Sequence, residues 1–186
     1  MDELLALSAD RELVFWHNAG MASRGWCLAM SGRGEEGIAL LTGGLSYHRA
    51  TNFGPLFLTL LADACRTIGQ PGAALAHLAG AAHQAEATSV RWCQCETLRM
   101  RGILLTLTGD RLGAEASFRD AIALAQQQSA KFFELRAALD LARHWRAQGK
   151  HDDAQDLLAP IYGWFTEGFD TLDLKEAKAL LDGLAP

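Results

Sequence analysis

Residues 31–37 read SGRGEEG, with glycines at 32, 34 and 37. The spacing G-x-G-x-x-G is the fingerprint of a dinucleotide-binding turn. That turn follows a strand, opens a helix and is answered by an acidic residue about 20 positions on. None of this context surrounds Gly32. The preceding residues, HNAGMASRGWCLAM (17–30), place Met21, Cys27 and Leu28 at helical spacing rather than in alternation. No Asp or Glu occurs between Ile38 and Ala62, and Glu35 and Glu36 would repel a pyrophosphate. Dinucleotide binding is excluded here, so the glycines need another explanation.

The same local pattern recurs. GRGEEGIALL begins at Gly32, GQPGAALAHL at Gly69, GDRLGAEASF at Gly109 and GKHDDAQDLL at Gly149. Each is a glycine, a short polar turn and then an amphipathic stretch. The glycines lie 37, 40 and 40 residues apart, a period that means a helical solenoid. A glycine at the end of a helix permits the left-handed backbone that stops it. Pro71 suits the first position of the next helix.

Composition agrees. The 186 residues include 32 Ala and 30 Leu but only 2 Val and 5 Ile. Branched side chains lose rotamer freedom in helices and favour sheets, so the chain reads as all-α. It is 49% hydrophobic, enough for a real core. The net charge of −5 argues against a nucleic-acid binder, which normally shows a basic face. No apolar run approaches the roughly 18 residues of a membrane helix. The first thirty residues are acidic and amphipathic, unlike a signal peptide. Cys27, Cys65, Cys93 and Cys95 sit in apolar helical patterns and read as buried free thiols of a reducing cytosol, so the expected location is cytoplasmic.

Each turn glycine can be set as the fifteenth position of a repeat. Small residues then fall at the eighth (Gly25, Ala62, Gly102, Ala142) and twentieth (Gly37, Ala74, Ala114, Ala154) positions. Large ones fall at the twenty-fourth: Leu41, Leu78, Phe118 and Leu158. The twenty-seventh holds Gly44, Ala81, Ala121 and Ile161. Small residues let the two helices of a hairpin approach, and the large residue fills the space between repeats.

This pattern resembles the tetratricopeptide repeat (TPR) from about residue 11 to 165. The resemblance implies a right-handed α-α superhelix of about four hairpins. The period exceeds the family's usual value of about 34, and the customary leucine at the seventh position is Arg24 and Arg101 in two repeats. The repeats are expected over 11–50, 54–87, 90–128 and 131–166, in a single solenoid domain. Residues 3–10 read as the tail of a helix, and Ser89 and Ser129 as N-caps. DTLDLKEAKALLDGL (170–184) reads as a capping helix with a Leu174, Ala177, Leu181 stripe. Shared R-G-x-x-L-x-x-x-G and L-A-x-x-x-R-x-x-G patterns pair repeats one and three, and two and four, as an internal duplication would.

The tail from Leu157 resembles the C-terminal TPR region of bacterial multi-domain signalling proteins, in which a nucleotide cyclase or DNA-binding domain precedes a regulatory ATPase. That resemblance implies a fragment whose catalysis belongs upstream. An uncapped N-terminal face is also compatible with homo-oligomers.

Chemistry is sparse. Cys93 and Cys95 point apart on a helix, and neither a C-x-x-C pair nor an H-E-x-x-H motif occurs, so zinc is not expected. The six histidines follow no selective spacing. No P-loop or G-x-S-x-G motif is present, and neither an enzyme activity nor a cofactor is expected. Most of the five tryptophans are expected in the core, Trp145 among them.

In the resembled family the first helices line a concave groove. Carried over, its groove positions give Trp26 and Met30, then Asp63 and Arg66, then Glu96, Arg99 and Ile103, then Arg136, Arg143 and Arg146. The arginines imply an acidic peptide or carboxylate-bearing partner, paired bidentately. The competing reading pairs them within the solenoid, with Asp63, Glu96 and Asp140. The leading function is a non-catalytic protein-interaction or regulatory module. The alternative is a small-ligand or signal-peptide receptor using the same groove.

Overall fold

The computed structural model describes residues 2–184. They form ten α-helices and no strand: α1 (Asp2–Asp10), α2 (Val14–Met30), α3 (Gly34–His48), α4 (Gly54–Thr67), α5 (Pro71–Thr88), α6 (Gln94–Thr108), α7 (Arg111–Gln127), α8 (Lys131–Arg146), α9 (His151–Gly163) and α10 (Leu172–Asp182). The all-α expectation holds. The described residues fall into two compact units, one ending at Met100 and the other beginning at Arg101, so the division lies within α6.

In the first unit, α2 and α3 pack backbone to backbone. A Cβ built on Gly25 would lie 2.5 Å from the Leu41 amide nitrogen and 2.6 Å from the Gly37 carbonyl oxygen. No side chain fits there, which is why this pair of helices is built on Gly and Ala. The large residue of the repeat, Leu41, is fully buried beside Leu45, and Leu78 plays the same part on α5. In the second unit the corresponding residues are Phe118 and Leu158, both buried. Gly102 on α6 faces the Phe118 ring, where an added Cβ would stand 2.5 Å from Cε1. Each apolar side chain removed from water in these layers contributes about 1.5–3 kcal/mol before chain entropy is counted.

The turn glycines do what their recurrence implies. Gly32, Gly69, Gly109 and Gly149 have φ of +91°, +72°, +87° and +77°. The glycines of SGRGEEG end α2 and admit α3.

Ser89 and Ser129 are not N-caps. Both lie in the left-handed region, with φ of +58° and +54°. Ser89 closes α5, donating its N–H to Glu86, and Ser129 follows α7, donating to Gln126. They occupy the helix-ending position that glycine takes inside each hairpin. Glu12, between α1 and α2, does the same at φ +53°. Asp110 is a residue that does cap: it accepts from the Gly113 N–H at 2.9 Å.

Three of the five tryptophans also depart from expectation. Trp16, Trp92 and Trp164 are 51%, 44% and 59% exposed, whereas Trp145 is buried as expected. Cys65, Cys93 and Cys95 are buried, but Cys27 is exposed. No helix among the described residues is long and apolar enough to cross a membrane.

Candidate interaction surfaces

In the first unit the side chains assigned to the groove form a connected set. The Trp26 indole N–H on α2 donates to Asp63 Oδ2 on α4 at 2.9 Å. The other carboxylate oxygen, Oδ1, accepts from Arg66 Nε at 2.8 Å. Asp63 is 7% exposed, so a carboxylate that would be costly to bury is held by two donors. Arg66 comes within reach because residues three apart share a helix face. Met30 lies at the exposed end of α2. On α6, Glu96 and Arg99 repeat the device, with the guanidinium donating to both carboxylate oxygens at 2.9–3.2 Å. Both are buried.

In the second unit the arginines of α8 meet the last helix. Arg143 pairs with Asp140 at 3.1 Å and with Glu176 of α10 at 2.7 Å. Burial alone would lower its pKa, but Glu176 and Asp140 outweigh burial and raise it. Arg136 reaches Asp173 of α10 at 3.3 Å. Arg146 is exposed and makes no ion pair among the described residues. Reading the sequence misses α10 as a source of carboxylates. The available signal is Asp173 and Glu176, three apart on one helix.

Two clefts border α8. One, of about 210 Å³, is lined by Ile103, Thr106, Leu107, Phe118, Arg143 and His144, among others. The second, of about 220 Å³, lies between Arg143, Arg146 and Glu176, over Ala179 and Leu180. In the first unit a hollow of about 420 Å³ sits at Ser8, Glu12, Val14 and His17.

Aromatic side chains cluster at the far end of α2 and α3. Phe15, Tyr47, Phe53 and Phe57 surround the fully buried His48 with ring centroids 4.8–6.1 Å from it. Burial lowers the His48 pKa, partly offset by its contact with the Phe15 carbonyl. Trp92 continues the cluster against Phe53.

Little here is set up for covalent chemistry. Burial pushes the Cys93 and Cys95 thiols up to about 11, which keeps them protonated and unreactive at neutral pH. Among the described residues no group of His, Cys, Asp and Glu is placed to hold a metal ion.

No protein-family model and no curated protein matches the chain. Solved structures do. The nearly identical TPR-like repeats of a kinesin light chain from Podosopora anserina superpose with a TM-score of 0.67 at 16% identity, covering 89% of this chain and 84% of that one. A point variant of the same repeats gives 0.68 at the same identity and coverage. The fold of this chain is therefore that of TPR-like helical repeats.

Proposed function

We propose that this chain is a non-catalytic protein-interaction module, the regulatory or scaffolding segment of a bacterial signalling protein, that takes an acidic partner segment along its first helices. Two things support the reading: the TPR-like fold, and the arginines set along α8 in the second unit. Arg146 carries it furthest. Its exposed guanidinium borders a cleft, while Arg136 and Arg143 already have carboxylate partners. A cation with no counter-ion among the described residues is the group an incoming carboxylate would engage.

The test is fluorescence anisotropy with labelled acidic, neutral and basic decapeptides. The acidic set should bind, and Arg146→Glu should weaken it about tenfold, the effect of losing one charge-assisted hydrogen bond. Equal binding of acidic and basic peptides, or an unchanged affinity in Arg146→Glu, would overturn the proposal.

A further inference from the structure

Two clefts of the second unit meet at one side chain, because Arg143 of α8 lines both. On one side lies the cleft of about 210 Å³, walled by Ile103, Leu107, Phe118 and Ala147. On the other lies the cleft of about 220 Å³, where Arg146 and Glu176 stand over Ala179 and Leu180.

The two differ in charge. The charged groups lining the first are Asp140 and Arg143, which pair with each other at 3.1 Å, so this cleft is balanced. Its walls offer apolar surface: Leu107 is 63% exposed, although a leucine gains by leaving water. The second cleft sets two cations, Arg143 and Arg146, against one carboxylate, Glu176. Glu176 is held by Arg143 at 2.7 Å, so the surplus charge is that of exposed Arg146. One cleft therefore favours a neutral apolar group and its neighbour a carboxylate.

Size and spacing narrow the occupant further. An apolar cavity of roughly 150 Å³ suffices for benzene, so the first cleft has room for a leucine or phenylalanine side chain. Ala147 lines one cleft and Arg146 the other. Consecutive Cα atoms are about 3.8 Å apart, so a single short segment spans both clefts. In an extended segment, side chains two residues apart share a face at a separation of about 6.6 Å.

We infer that the paired clefts read two side chains of one segment: an apolar one seated beside Leu107, and an Asp or Glu two residues from it that meets Arg146. The inference rests on the acidic-segment reading above and adds a choice among acidic segments, which charge alone does not supply.

The test is fluorescence anisotropy of the full chain with labelled decapeptides of equal net charge. In the first set a leucine stands two residues from a glutamate, before or after it. In the second a serine replaces that leucine, and in the third the leucine is moved to the far end. The better-binding order of the first set should bind about tenfold more tightly than the other two sets. Leu107→Ser should remove this preference and leave the affinity of the serine peptides unchanged. Ala147→Phe, which fills the first cleft from its rim, should also remove the preference. Both positions are exposed, so neither variant disturbs the core. Equal binding of leucine and serine peptides, or a leucine preference that survives both substitutions, would overturn the inference and leave the proposed function standing. If no acidic peptide binds, the proposed function falls and takes the inference with it.

Discussion

Trp26 and Asp63, on helices separated by a whole hairpin arm, share a hydrogen bond of 2.9 Å. The tryptophan read from the sequence as a groove residue is thus also a strut, and its substitution has two separable effects. Trp26→Phe keeps most of the ring and deletes the donor, so it should cost about 1–3 kcal/mol through the under-satisfied carboxylate. Trp26→Ala adds lost packing and should cost more. Urea melts of both, combined with Asp63→Asn in a double-mutant cycle, should give a coupling energy well above zero. Independent, additive effects would mean that the hydrogen bond contributes nothing.

Gly102→Ala sets a methyl group 2.5 Å from the Phe118 ring. The ring must move within a packed layer, and the expected loss is about 1–3 kcal/mol. Gly102→Leu should abolish the hairpin of α6 and α7, visible as lost helical circular dichroism. Gly102→Ala combined with Phe118→Leu should recover part of the loss, since the smaller side chain frees the space.

Ser129 holds φ at +54° with a side chain, where glycine suffers no steric penalty. Ser129→Gly should raise stability by about 0.5–1 kcal/mol, and Ser89→Gly should do likewise. Gly149→Ala, at φ +77°, should lower stability by a similar amount. Thermal melts of the three single variants check all of this together, because the signs are opposite for the two residue types.

Stability should fall on mild acidification. The His48 pKa is lowered in the folded chain, so the unfolded chain binds the proton first. The stability that neutral His48 provides is complete above its ordinary value near 6.5 and declines as pH drops below it. His77, lowered by burial and by Arg49, acts in the same direction. Glu115 acts in a separate window. Burial would raise its pKa, but the Trp145 indole, Arg119, Lys150 and His144 outweigh burial and lower it. Its contribution is present above about 4.5 and lost further down. Urea midpoints should therefore drop in two steps between neutral pH and about pH 3, and His48→Gln should remove much of the first.

Cysteine reactivity should be unequal. Cys27 is exposed, and Cys65, Cys93 and Cys95 are buried with raised pKa values. A thiol reagent should modify one cysteine quickly in native buffer and all four in denaturant, with mass mapping to Cys27. Rapid labelling of Cys93 or Cys95 would mean that the wall around them opens.

The glycine turns and the small–large pattern are legible because each is a steric demand that few residues meet. Left-handed backbone calls for glycine, and a 2.5 Å approach excludes any Cβ. Ser89 stands five residues ahead of Gln94, where α6 begins, but Ser129 misleads because only residues 128–130 join α7 to α8. In such a link the residue ending one helix stands next to the residue starting another, and serine's preference for N-caps points to the wrong one. The exposed tryptophans mislead for another reason: Trp92 and Trp164 lie in turns just outside the helices, and for Trp16 placement on a first helix does not fix which face a side chain takes. Among the arginines, partners three residues away can be read from helix geometry, as with Asp63 and Arg66. Glu176 cannot, since it is brought to Arg143 by the docking of a separate helix.

The contact between α8 and α10 bears on how any acidic visitor is received. Arg136 and Arg143 are met by Asp173 and Glu176 of the chain's own last helix. That helix supplies the same carboxylates an incoming segment would supply, at the same guanidinium groups. An acidic partner arriving at α8 finds Arg146 vacant and the two neighbouring cations already tenanted. To gain them it must evict α10, so its apparent affinity is set by a competition that the chain runs against itself.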